Sequence, residues 1–242
     1  MFKLDSPLMN FLNKVCDVMI LNLLVIVFSL PIITAGSAIT AAYYVSYRMV
    51  RNEEGYITKM FWKAFKENFK QSTIMWLIML VIALILYGDY KIIAADAVEL
   101  QNWMITALIT VAVIIAMGME FVFPMQARFT NTVKNTIRNS FLMALSHLPS
   151  AILFLLTYAI PVLLLYLLPQ LAPAIVLLIF GALPYFKSFL YLKIFKKYEE
   201  RILERIATEQ GEQTSEDVEN DEESDSGIFA VSEAMEKESE NN

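Results

Sequence analysis

Glycine, cysteine, histidine and charge are all scarce in this 242-residue chain, and each shortage removes a class of function. The single cysteine, Cys16, permits no internal disulfide and no thiolate metal cluster. The single histidine, His147, rules out the paired histidines of an HExxH zinc site. The seven glycines never come closer than 16 residues, so no glycine-rich phosphate loop can be built. Charged residues make up 18% of the chain against about 25% in an ordinary soluble domain. No nucleophile–base pair or metal set can be assembled, so neither an enzyme nor a cofactor is expected, and nothing points to nucleic acid.

Apolar sequence is what the chain has instead. It is 57% hydrophobic, against about 45–50% for a typical soluble domain. The charge is also divided. Residues 1–206 carry 18 Lys and Arg against 12 Asp and Glu, a net of +6, whereas residues 207–242 carry one Lys against 13 Asp and Glu, a net of −12. The fold class that fits is all-α: a polytopic transmembrane helical bundle over residues 1–198, followed by a cytoplasmic acidic tail over 199–242 that is expected to be mostly disordered. The apolar island at 227–231 in that tail is a candidate docking peptide.

A helix needs roughly 20 apolar residues to cross a hydrocarbon core of about 30 Å. Uncharged runs occupy 18–47, 72–88, 100–119 and 148–186. The last would be about 58 Å long as one helix and must fold back, and Pro169 and Pro173 mark the turn. The first run contains Pro31 and then the small residues Thr34-Ala35-Gly36-Ser37-Ala38, which suit close helix packing. The reading is five spans at about 15–34, 72–92, 101–123, 146–168 and 172–193, with a short packed helix at 35–48. A sixth span within 31–48 stays open, as does a signal peptide ending at Ala38, although that apolar run is long for one.

Lys and Arg concentrate in alternate connections. The segments 48–71, 125–142 and 187–205 hold 15 of the 18 positive residues of the body. By the positive-inside rule these loops and the C-terminus face the cytoplasm of a multi-pass plasma-membrane protein; the side of the N-terminus depends on the span count.

Two basic segments are expected to lie in the interface. Over 58–71, Phe61, Phe65 and Phe69 repeat every four residues beside Trp62, while Lys63, Lys66 and Lys70 take the opposite side. This surface either anchors the next span in lipid or touches a cytoplasmic partner. A weaker echo runs over 128–140, where Phe129, Val133 and Ile137 form the stripe and Arg128 and Arg138 lie off it. The two echoes hint at an internal repeat.

Ionisable residues at membrane depth are expensive, which makes them candidates for function. Glu120, four residues before Pro124, is the foremost: a proton or polar-substrate ligand if Pro124 frees a backbone carbonyl, or an interfacial acid paired with Arg128. Asp17, with Asn22 five residues on, opens the first span as a second substrate or ion candidate. His147, before Pro149, reads as a helix-end hydrogen-bonding group or a titrating switch. Tyr43, Tyr44 and Tyr47 read as an interface belt or a sugar-stacking platform.

The chain resembles the YesL-like family of bacterial membrane proteins, a family of unknown function. The resemblance is carried by Asp5-Ser6-Pro7, by Ser29-Leu30-Pro31 followed by Thr34 and Gly36, and by Glu53-Glu54-Gly55-Tyr56. It continues through Phe65-Lys66-Glu67-Asn68-Phe69-Lys70-Gln71 and through Phe123-Pro124 with Ala127-Arg128-Phe129. It covers roughly residues 2–200 and excludes the tail. The resemblance implies a plasma-membrane protein of Gram-positive type bacteria, often encoded beside carbohydrate ABC-transporter components. An accessory or scaffold role beside permease or ATPase subunits is therefore expected. The alternative is a small transporter with a midplane polar cavity around Glu120 and Asp17. The family supplies no catalytic residues.

Overall fold

A computed structural model describes residues 7–53, 55–94, 101–173, 175–176, 178–201, 203–204 and 208. Asp5, Ser6 and Glu54 of the resemblance, residues 95–100, and nearly all of the acidic tail with its apolar island lie outside these residues. The chain divides into two units, Met1–Leu192 and Lys193–Asn242. In the second, an exposed pair between Lys196 and Glu200 at 3.8 Å follows ordinary helical i, i+4 spacing.

The described residues form helices and connecting turns without a strand. The elements are α1 (Pro7–Ser29), a 3-10 turn at Ile32–Thr34, α2 (Ala35–Val50), α3 (Ile57–Ala94) and α4 (Asn102–Arg128). They continue with α5 (Val133–Ser146), α6 (Leu148–Leu156), α7 (Ala159–Leu167) and a 3-10 turn at Pro169–Leu171. The last is α8 (Leu178–Arg201). Five helices are long and apolar enough to cross a membrane: Phe11–Ser29, Ile57–Ile93, Asn102–Arg128, Leu148–Leu167 and Leu178–Arg201.

Proline and small residues set the first bend. Pro31 disfavours helix in Leu30, so α1 stops at Ser29 and not at the expected 34. The Thr34 hydroxyl lies 2.5 Å from the Phe28 carbonyl and 2.8 Å from that of Pro31, covering groups left open at the helix end. The chain then turns into α2, the most enclosed element, whose Ala38, Ala41, Ala42 and Val45 are fully buried. Its small side chains permit contact with α3 close to the backbone. A Cβ on Gly36 would sit 2.5 Å from Cβ of Trp76 and 2.6 Å from the Ser72 carbonyl oxygen. Ser37 donates to the Phe69 carbonyl at 3.1 Å, and the Thr40 and Ser72 hydroxyls are 2.9 Å apart.

α2 ends in a Schellman motif. Asn52 takes the left-handed conformation (φ 54°), its N–H donates to Met49 O, and the Glu53 N–H donates to Arg48 O. Asparagine tolerates that backbone better than most residues, which explains a non-glycine there.

α3 corrects the expected interfacial helix at 58–71. No glycine or proline occurs between Ile57 and Tyr87, so nothing breaks the helix where a separate span was expected to begin at 72. Its 38 residues make one rod of about 57 Å, nearly twice a hydrocarbon core. The aromatic face is corrected too. Phe61 and Phe65 are buried inside the bundle, with ring centroids 5.5 and 5.0 Å from that of Phe28 on α1. Trp62, Phe69, Lys63, Lys66 and Lys70 remain exposed, and the Lys66 ammonium sits 4.6 Å over the Trp62 ring.

The second expected interfacial helix, 128–140, is also redrawn. α4 runs to Arg128, and α5 begins at Val133, capped by the Thr132 hydroxyl accepting from the Asn135 N–H. The buried face of α5 is Thr136, Ser140, Met143 and Ala144, not the stripe of Phe129, Val133 and Ile137. A polar knot selects it. Gln126 on α4 donates to Asn68 (3.0 Å) and Gln71 (2.6 Å) of α3 and accepts from Thr136 (3.2 Å), so its whole amide is used.

The expected span at 146–168 is broken into α6 and α7 around Thr157 and Tyr158. Pro161 supplies no N–H to the carbonyl four residues earlier, that of Thr157, and its ring crowds it. The turn after it falls at the expected prolines.

Candidate functional site

Glu120 lies one turn before Pro124 on α4, so the missing Pro124 donor leaves the Glu120 carbonyl without its helical partner. Tyr191 of α8 fills the gap: its hydroxyl is 3.0 Å from that carbonyl and 3.3 Å from Glu120 Oε1. The same turn is held from the other side by Tyr47 of α2, which donates to the Pro124 carbonyl at 3.1 Å.

Glu120 forms an ion pair with Lys187, Nζ to Oε1 at 2.5 Å, and the two side chains are 6% and 2% exposed. Lys187 and Tyr191 stand four apart on α8 and so share one face. Tyr158, at the break between α6 and α7, donates to Glu120 Oε2 at 3.0 Å. Its ring also carries the Lys187 ammonium 3.8 Å from its centroid. Around this polar centre is an aromatic wall. Phe154 stacks on Tyr191 at 4.1 Å, while Phe121 and Tyr43 meet Tyr191 edge-on at 5.3 and 5.7 Å. One carboxylate thus ties α4, the α6–α7 break and α8 together, with both oxygens hydrogen-bonded by the chain's own donors.

Several expectations change here. The local partner foreseen for Glu120, Arg128, is replaced by Lys187, 67 residues away in sequence. Lys187, which follows the last uncharged run as a basic flanking residue would, is buried. Its signal in the sequence was its position directly after a long uncharged run, with Tyr191 one turn on. Tyr43 and Tyr47 are buried and form no interface belt; burial pushes both phenols well above their ordinary pKa, so they remain hydrogen-bond donors. Tyr44 stays partly exposed, with the Arg48 guanidinium 5.6 Å from its ring.

The remaining candidates lie apart from Glu120. Asn22 is 1% exposed, and its carbonyl accepts from the Gly181 N–H of α8 at 2.7 Å. A Cβ on Gly181 would be 2.7 Å from the Val18 carbonyl oxygen, so the glycine is what lets α1 and α8 meet there. His147 caps the junction of α5 and α6, its Nδ1 3.3 Å from the Met143 carbonyl. Asp17 lines a recess of about 560 Å³ at the start of α1, shared with Lys14 of the same helix and with Asn52 and Glu53 after α2. Glu53 is held by Arg48 at 2.7 Å, and that hydrogen bond keeps its carboxyl below the usual carboxylate range. Among the described residues, no three of His, Cys, Asp and Glu converge as metal ligands would.

The fold and this buried pair define an α-helical, polytopic membrane protein. A family described as "Protein of unknown function, DUF624" matches residues 18–90, from α1 to the far part of α3. The chain is 28% identical over 166 residues to the uncharacterized protein YesL of Bacillus subtilis (strain 168), covering 67% of this chain and 78% of that one. No solved structure matches it. These likenesses bear out the resemblance to the YesL-like proteins.

Proposed function

We propose that this chain is a non-catalytic accessory or scaffold component of the plasma membrane, with its basic connections on the cytoplasmic side. The setting implied by the family resemblance is carbohydrate uptake of the ABC type, beside permease or ATPase subunits. The observation that carries the reading is the saturation of Glu120: Lys187, Tyr158 and Tyr191 occupy both of its carboxylate oxygens. An acid so committed braces helices and has little left to offer a passing solute. What the bundle turns outward from the first half of α3 is Trp62, Phe69 and a row of lysines, chemistry suited to an anionic lipid surface or an acidic partner.

Affinity purification of the tagged protein from native membranes in mild detergent, followed by mass spectrometry, tests this. Stoichiometric transporter subunits, lost when Lys63, Lys66 and Lys70 are replaced by Gln, are the expected result. The chain recovered alone, as a monomer or homo-oligomer, overturns it.

A second reading, a small transporter, draws on the recess beside Asp17. It requires that Asp17→Asn or Glu120→Gln abolish solute flux in reconstituted vesicles while the protein still folds. Unchanged flux in both variants ends that reading.

A further inference from the structure

We infer that the recess at the start of α1 is a binding site for an ammonium-bearing ligand, with the Asp17 carboxylate as its counter-ion. The inference does not depend on the accessory role.

The argument begins with what each charged group there already holds. Glu53 is bound by Arg48 at 2.7 Å and approached by Arg51 at 3.8 Å. Lys14 donates to the Asn52 side-chain carbonyl at 2.8 Å. Asp17 is one turn from Lys14 on the same helix, a spacing at which Lys and Asp commonly pair. Lys14 is nevertheless drawn across to α2's end, and Asp17 has no hydrogen bond or ion pair among the described residues. It is half-buried and faces the recess. That carboxylate, partly shielded from water in the wall, is a place where a ligand's positive charge would be attracted.

Shape and lining narrow the class. The volume of about 560 Å³ lies within the range of small-molecule sites, roughly 300–1,000 Å³. Met49, Ile57 and Met60 give it an apolar side opposite the polar one. With Glu53 already matched by arginines, Asp17 and Lys14 are the remaining charges among the described lining residues, and of these Asp17 is the one without a partner. A compact amine with a carbon skeleton satisfies both sides: its N–H groups meet Asp17 and its methylenes meet the thioethers. On α1 the recess is lined by Asn13, Lys14 and Asp17, in the first turns of a candidate span whose Phe11, Leu12 and Val15 are exposed. The ammonium can therefore come from a lipid headgroup whose chains lie along α1, or from a free amine.

Calorimetric titration of the purified full-length protein in detergent tests this with three probes: ethanolamine, dihexanoyl-phosphatidylethanolamine and dihexanoyl-phosphatidylglycerol. The expected result is saturable binding of at least one ammonium probe, none of the glycerol lipid, and affinity weakened roughly ten- to hundredfold in Asp17→Asn. Asp17→Glu, which restores the charge, should recover part of the loss, and gel filtration verifies that each variant is folded. Binding of both ammonium probes assigns the site to amines in general; binding of the phosphatidylethanolamine alone assigns it to the lipid. Absence of saturable binding by either ammonium probe, or equal binding by folded Asp17→Asn, overturns the inference.

Discussion

Replacing Glu120 by Gln removes the negative half of a pair whose side chains are 6% and 2% exposed, leaving the Lys187 ammonium over the Tyr158 ring with no counter-ion. Breaking one side of a buried pair typically costs about 3–5 kcal/mol, because the abandoned charge stays out of water. Lys187→Met should fall in the same range from the opposite side, abandoning the carboxylate to two phenols. The double variant Glu120→Gln/Lys187→Met abandons no charge, and its expected cost is within about 1 kcal/mol of the wild type. For a chain of this size each kcal/mol moves the melting point by about 2–4 °C, so each single variant should melt roughly 6–20 °C lower and the double only a few degrees lower. The assay is the fraction surviving size-exclusion chromatography after heating in detergent, at one heating rate so that the variants' midpoints are comparable. The reasoning is refuted by two single variants that melt with the wild type, or by a double variant that loses the sum of both.

Two further predictions concern packing and pH. Gly36→Ala should destabilise the protein by about 1–3 kcal/mol in the same melting assay, since its new methyl meets the Ser72 carbonyl oxygen at 2.6 Å. Gly88→Ala on the same long helix α3 meets nothing within 4 Å and should instead gain about 0.5–1 kcal/mol. The Arg48 hydrogen bond lowers the folded pKa of Glu53, so its contribution is present above the ordinary glutamate value near 4.3 and fades as pH falls through the lowered one. The pair is exposed, and the wild type should therefore exceed Glu53→Gln by no more than about 0.5 kcal/mol at neutral pH. The difference should shrink in melts as the pH falls through that lowered pKa.

How much of this was legible in the sequence follows from the range of each effect. Crossing a hydrocarbon layer is a property of about 20 consecutive residues summed together, so the five long apolar helices could be read from the runs. Pro31 and Pro169 act on the backbone within one turn, so the break after α1 and the reversal before α8 were equally local. The partner of Glu120 was not local. Arg128 lies two turns along the same helix, whereas Lys187 is 67 residues away. The Phe61 and Phe65 stripe shows a different limit. Four-residue spacing says that these rings leave water together, and lipid and a neighbouring helix satisfy that equally. Only the position of Phe28 decides between them. Gln126 gave no signal, since a lone amide near a helix end is unremarkable until Asn68, Gln71 and Thr136 surround it.

The unbroken length of α3 has a mechanical consequence. A helix without proline or glycine over three-quarters of its course resists bending and twisting, so its two halves cannot act as separate bodies. Whatever grips the lysine-studded half applies torque directly to the apolar half, as a hand on a crankshaft turns both ends. The α2 helix locked along the first half at Gly36, Ser37 and Thr40 would be carried with it. A load at Trp62 would thus be felt at Trp76, whose indole N–H holds the Ile32 carbonyl of the bend after α1 at 2.7 Å.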